Sequence, residues 1–233
     1  KDSTVLRDLL IRSGFPFDAH HNFTGIDPPE LTRFGREHHP ETIVERPEKS
    51  FWQHIEYYGL PFRTARWCCE ELKESGGVGC VVVTGIRADE SSRRRSRGIV
   101  NVCRKSGNEK TLINPIFHWT SVDVWEYIRR RELPYCSLYD EGWKRLGCVF
   151  CPYESRRAET KARWPKMFAA LLHNVRKAWT TWQQWPSWQG KTDEFRQSPE
   201  KFMEWWWDMP HGYERDGEEQ EFFVFDQFEE ETT

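Results

Sequence analysis

At 233 residues, 37% of them hydrophobic, the chain is long enough for one cored domain with an appendage, and no apolar run approaches the roughly 20 residues of a membrane-spanning helix. Seven cysteines, an odd number, do not read as a secreted disulfide framework in a chain of this size; a reducing cytoplasm fits better. The net charge of −3 hides an asymmetry: from Asp216 onward there are eight acidic residues and no Lys or Arg, which leaves 34 basic against 29 acidic, about +5, for residues 1–215.

The chain opens on Lys1-Asp2-Ser3-Thr4 and runs into Val5, Leu6, Leu9 and Leu10, the spacing of an amphipathic helix. Ser3 or Asp2 would cap it and Gly14 would stop it. Domains rarely begin on a helix cap, so a strand and a loop are expected upstream. Residues 15–23 read as a strand entering Thr24-Gly25, and Pro28-Pro29 starts a helix that Pro40 ends. Residues 42–45 form a short strand, and Ser50 caps a helix over 51–58, closed by Gly59. Residues 67–74 are helical. The β-branched run 78–84 has the pattern of a strand buried on both faces, which would bury Cys80, and Gly85-Ile86-Arg87 leaves its end.

Residues 99–103 and 111–116 flank Ser106-Gly107-Asn108, a hairpin signal that makes Cys103 structural. Thr120-x-x-Asp123 is a capping box for a helix over 122–131. The alternation of strand and helix predicts an α/β fold with a three-layer, mainly parallel sheet. Ligands bind such sheets at the carboxyl ends of the strands, which places Thr24-Gly25, Gly85-Ile86-Arg87 and the loop before Lys1 on one rim. After Cys151, residues 156–183 read as helix interrupted at Pro165, and Ser198-Pro199 starts another. Eight of the thirteen tryptophans fall between 164 and 207, with Trp179, Trp182, Trp185 and Trp188 at every third position. Such a stripe is either core packing or a set of platforms for stacked bases. The chain divides into a nucleotide-binding domain over 1–155, a helical Trp-rich extension over 156–215 and an acidic tail over 216–233.

Two cysteine pairs carry the chemistry: Cys68-Cys69, in the first turn of their helix, and Cys148-x-x-Cys151. A lone C-x-x-C serves zinc or redox sites equally. Adjacent cysteines diverge by about 100° on a helix, which suits a cluster of several irons better than one ion. The four therefore point to a [4Fe–4S] cluster, with structural zinc or plain buried thiols as the alternatives.

With these residues in view, the chain resembles the 3′-phosphoadenosine-5′-phosphosulfate reductase family, within the adenine-nucleotide α-hydrolase-like, PP-loop group of Rossmann-like folds. Lys1-Asp2-Ser3 is similar to the end of the family's Ser-Gly-Gly-Lys-Asp-Ser phosphate loop. Thr24-Gly25 with Pro29-Glu30 is similar to its Asp-Thr-Gly…Pro-Glu-Thr stretch, although Asn22-Phe23 stand where the acidic residue is usual. Thr84-Gly85-Ile86-Arg87, followed by Ser91 and Arg93, resembles its substrate-anion motif. The two cysteine pairs resemble the cluster signature of the iron–sulfur branch, and Lys73 falls where that branch carries a lysine beside cluster and substrate. The resemblance covers about residues 1–155.

It implies nucleotide contacts at Lys1, Asp2, Ser3, Thr24, Gly25, Gly85, Arg87, Ser91 and Arg93, with ATP or a sulfonucleotide as substrate. The family's nucleophilic Cys in a C-terminal Glu-Cys-Gly-x-His segment has no counterpart, since no Cys follows Cys151. Cys136 is then the one candidate for a reactive thiol. The leading expectation is an ATP-dependent sulfurtransferase acting on a nucleic acid, served by a sulfur-donor protein, with the arginine-dense loop 93–97 and some tryptophans at the acceptor. The alternatives are a sulfonucleotide reductase releasing sulfite, and a non-catalytic nucleotide- and cluster-binding subunit docking through its acidic aromatic tail.

Overall fold

The computed structural model describes residues 1–74, 76–105, 108–190 and 192–208. The acidic tail and the Ser106-Gly107 turn lie outside them. In chain order the elements are α1 (Asp2–Ser13), β1 (His20–Asn22), α2 (Pro29–His38), β2 (Ile43–Glu45), α3 (Phe51–Tyr58), α4 (Trp67–Lys73) and β3 (Val81–Val83). There follow α5 (Ser92–Arg95), β4 (Val100–Lys105), β5 (Asn108–Ile113), α6 (Ser121–Arg130), α7 (Arg157–Arg163), α8 (Pro165–Trp182) and α9 (Pro199–Asp208). They gather into two compact units, one of Lys1–Phe23, Asp27–Arg46 and Lys73–Leu146, the other of Thr24–Ile26, Pro47–Leu72 and the chain from Gly147. Among the described residues no helix is long and apolar enough to cross a membrane.

The first unit is α/β. β1 pairs with β2 in parallel, and β3 pairs with β5 in parallel, while β4 pairs with β5 antiparallel in the order β3-β5-β4. Val5 of α1 packs with Ile116 and with Val124, Tyr127 and Ile128 of α6. Tyr127 also donates from its hydroxyl to Asp8 at 2.6 Å. Local signals set the helix ends. Gly14 takes φ 72 and sends its N–H to the Ile11 carbonyl, a left-handed stop that glycine adopts without a Cβ penalty. Thr120 and Asp123 form the expected capping box. Lys1, not Asp2 or Ser3, occupies the cap position of α1, and no side chain caps it.

Two strand expectations are corrected. The strand expected over 15–23 shrinks to three residues, since β1 has only β2 to pair with among the described residues and Pro16 offers no N–H. The run 78–84 is not buried on both faces: Val81 is 63% and Val78 51% exposed, and Cys80 is exposed too. Among the described residues β3 pairs with β5 alone and stands at the edge of its sheet, where a strand keeps more of its surface exposed than a central one does.

The second unit is helical and aromatic. Ser50 and Gln53 close a reciprocal capping box on α3, at 3.3 and 2.8 Å. Trp182 is fully buried and donates its indole N–H to the Ile55 carbonyl at 3.0 Å, and Trp206 donates to the Pro61 carbonyl at 2.9 Å. Trp179 meets Trp188 edge-on at 5.1 Å, and Trp188 meets Phe202 at 5.3 Å. All thirteen tryptophans are buried or half-buried. The stripe is therefore core packing, and the expectation that it contacts an acceptor is withdrawn.

Phe51, with no exposed surface, lies against Trp67 at 5.3 Å and Phe150 at 6.0 Å, both near-parallel. Phe51→Ala should cost about 3–5 kcal/mol, the usual value for emptying a buried aromatic site. Urea unfolding followed by tryptophan fluorescence measures this, and a loss under about 1 kcal/mol would show the contact to be incidental.

Candidate functional site

In the first unit the start of α1 meets the end of β3. Lys1 Nζ lies 3.0 Å from the Asp2 carboxylate, and Arg87 Nε donates to Asp2 Oδ1 at 2.7 Å. Both cationic side chains are buried, with 6% and 4% exposed. Arg87 Nη1 also reaches Asp89 Oδ2 at 3.4 Å and the Trp119 carbonyl at 3.3 Å. Asp89 in turn accepts from the Ser121 N–H, in the first turn of α6, at 3.2 Å. Burial pushes the Asp2 carboxyl up, but the hydrogen bond from Lys1 and the charges of Lys1 and Arg87 outweigh it and hold the pKa below the usual value.

Gly85 makes this approach possible. A Cβ there would come within 3.2 Å of Asp2 Cβ and 3.3 Å of its carbonyl carbon, so a larger residue would press on the first turn of α1. The structure thus brings Lys1, Asp2, Gly85 and Arg87 together. Ser3 is exposed on the same turn, Ser91 caps α5 by accepting from the Arg94 N–H at 3.2 Å, and Arg93 is exposed beyond it.

Tyr139 escaped the sequence reading. Its hydroxyl accepts from the Lys1 backbone nitrogen at 3.3 Å across 138 positions, a separation no local pattern reveals. Burial, then the charges of Asp2 and Cys136, push that phenol up. Cys136 is 3% exposed, and burial raises its thiol above the ordinary value. A thiol so placed holds less thiolate at neutral pH than an exposed one.

The second unit gathers the four cysteines. Cys151 donates its N–H to the Cys148 carbonyl at 3.2 Å, closing the tight turn that C-x-x-C spacing implies. Thr24 and Gly25 belong to this unit and support that turn. Cys148 Sγ lies 3.8 Å from Thr24 Oγ1, and Val149 donates its N–H to the Ile26 carbonyl at 2.8 Å, past Gly25 at φ 74. Cys68 and Cys69 sit in the first turn of α4, and Arg66 Nη1 reaches Cys69 Sγ at 3.7 Å. The Cys68 thiol is pushed up by its hydrogen bond with Cys69, then by burial, then by the charges of Cys69, Cys148 and Cys151. The four sulfurs therefore share one neighbourhood.

All four are half-buried and none is in a disulfide. Among the described residues no three His, Cys, Asp or Glu converge on a point as one metal ion requires. A cluster takes one thiolate per iron and spreads its ligands, so the donor set fits that group. Lys73 closes α4, is exposed, and offers its carbonyl to Asn22 Nδ2 at 2.7 Å.

A helix N-terminus, a close-approach glycine and a buried arginine gathered past a strand end are the layout of an α/β domain that binds anions of the nucleotide type. Residues 1–154 match the phosphoadenosine phosphosulfate reductase domain, and the chain belongs to that family. The adenosine 5′-phosphosulfate reductase of Halalkalibacterium halodurans is 31% identical over 179 residues, 70% of this chain and 76% of that protein. An uncharacterized protein of Methanocaldococcus jannaschii is 29% identical over 205 residues, 77% of this chain, which spans only 42% of that relative's length. The phosphoadenylyl-sulfate reductase of Candida auris, solved as a phosphate complex, aligns with TM-score 0.48 at 23% identity over 63% of this chain and 76% of that one.

A lowered carboxyl contributes stability above its unfolded pKa, near 3.9, and loses it as pH falls through the depressed folded value. The stability gap between wild type and Asp2→Asn should therefore be full at neutral pH and close on acidification below about pH 4. Denaturant midpoints across that range check this, and a gap independent of pH would exclude the carboxylate charge as its cause.

Proposed function

We propose that the chain binds an adenosine phosphosulfate and takes part in its reduction, with Cys68, Cys69, Cys148 and Cys151 holding a [4Fe–4S] cluster. The reading rests on four half-buried thiols gathered in one unit of a chain that is 31% identical to an adenosine 5′-phosphosulfate reductase. The N–H groups of the first turn of α1 receive the nucleotide's phosphate, and Gly85 leaves room for the close approach. Arg87 fixes Asp2 and adds positive charge where the sulfate–phosphate anion lies. Lys1, Ser3, Ser91 and Arg93 complete the anion contacts, and Lys73 contributes a cation from the end of α4. Thr24 and Gly25 serve the Cys148–Cys151 turn. The cluster, when bound, supplies an iron centre whose properties the surrounding charge and hydrogen bonds set.

Sulfite release needs a thiolate that attacks the sulfate sulfur as the bond to the adenylate oxygen breaks and AMP leaves. A second thiol then displaces sulfite and leaves a disulfide, so the thiol pair supplies two electrons. Cys136 is poorly suited to the first step, being buried with a raised pKa, so the thiols come from a further segment of the protein, a partner or an added reductant. A second reading, ATP-dependent sulfur transfer to a nucleic acid, is favoured by the exposed Arg93, Arg95 and Arg97.

Anaerobically purified protein should carry about four irons per chain, bind adenosine 5′-phosphosulfate by calorimetry, and release sulfite from it when a dithiol is added. Arg87→Ala should weaken binding by about 1.5–3 kcal/mol, the value of a hydrogen bond to a charged group. Stoichiometric zinc without iron would end the cluster assignment. Binding of ATP but not the sulfonucleotide, together with nucleic-acid affinity falling with salt at a log–log slope near −0.7 to −0.9 per phosphate, would move the assignment to the second reading.

A further inference from the structure

Arg156 and Arg157 add two cations to the basic excess of residues 1–215. The structure gives Arg157 another occupation. Its half-buried guanidinium donates to backbone carbonyls on two sides: Nε to Glu154 at 3.2 Å and Nη2 to Pro152 at 2.9 Å on one, Nη1 to Trp206 at 3.2 Å and to Trp207 on the other. Pro152 is the residue directly after Cys151. Trp206 and Trp207 lie in the last turn of α9, whose final carbonyls have no partner within the helix and carry its negative dipole end.

The Trp207 ring lies under the same guanidinium at 5.0 Å, and its indole N–H returns to the Arg157 carbonyl at 3.2 Å. A planar fork with several fixed donors suits such a junction, and a lysine has no equivalent. Arg63 adds a second donor to the Pro152 carbonyl at 3.1 Å.

We infer that Arg157 is a positioning residue for the Cys148–Cys151 turn, fastening it to the end of α9 in the segment that follows the family match. This rests on the four cysteines being the cluster's ligands, and is independent of the nucleotide chemistry. It assigns the Trp-rich extension a role: α9 fixes where two of the four sulfurs stand.

The test compares wild type, Arg157→Gln and Arg157→Lys in the full chain. Alkylation of each cysteine by iodoacetamide, read by mass spectrometry on iron-free protein, should quicken at least fivefold at Cys148 and Cys151 in Arg157→Gln and less than twofold at Cys68 and Cys69. Arg157→Lys should fall between. In iron-loaded protein, transfer of iron to a chelator should be about tenfold faster in Arg157→Gln, with a broadened paramagnetic resonance spectrum after reduction. Equal quickening at all four cysteines would mean general loosening and would overturn the inference, as would unchanged rates at Cys148 and Cys151. If Arg157→Gln fails to fold, Trp207→Phe, which removes the returning indole N–H, should show the same selectivity in smaller measure, and its absence there would sink the proposal. Wild type that takes up no iron would refute the cluster assignment, while the alkylation arm still decides whether Arg157 holds the turn.

Discussion

The second unit turns on one side chain. Phe51, at the start of α3, lies between Trp67, which precedes the first cysteine pair, and Phe150, which sits inside the second. Two sequence segments some eighty residues apart are thus referred to a single ring. The ring is itself placed by the Ser50–Gln53 capping box, which fixes where α3 begins. A site made of two distant pairs needs a common reference, and dispersion across three stacked rings supplies it.

Charge organises the first unit as aromatics organise the second. Arg87 and Lys1 are buried cations whose counter-charge is Asp2, and burying such charges is tolerable only when they are paired and hydrogen-bonded. The pairing makes the first turn of α1, Gly85 and the start of α6 mutually dependent through Asp2, Arg87 and Asp89. Removing one partner leaves the others charged in a poor solvent. The residues proposed to receive the anion are therefore the ones this unit's stability depends on.

What the sequence disclosed was local. The Ser50 cap, the Thr120–Asp123 box, the Gly14 stop and the break at Pro165 depend on neighbours within four positions, and each appears where it was expected. The tight turn at Cys148–Cys151 follows from its spacing in the same way. What stayed hidden was set by pairing at a distance. The run 78–84 has the composition of a central strand, yet whether it is covered depends on how many strands flank it. Cys136 lies in a loop, where exposure is the usual expectation, and is buried. Tyr139 meets Lys1 across nearly the whole first unit. Thr24-Gly25 reads as part of a phosphate rim, and no local pattern shows that Thr24 Oγ1 also lies 3.8 Å from Cys148 Sγ.

The distribution of indole rings has an optical consequence. Ten of the thirteen tryptophans belong to the second unit and three, Trp119, Trp125 and Trp143, to the first. Ultraviolet-excited emission from this protein is therefore dominated by the helical unit, while the peptide backbone absorbs in both. Emission and circular dichroism recorded side by side would resolve the two units without any attached dye. Iron bound at the four cysteines would lie within the emitting unit, so its arrival would register as a loss of light.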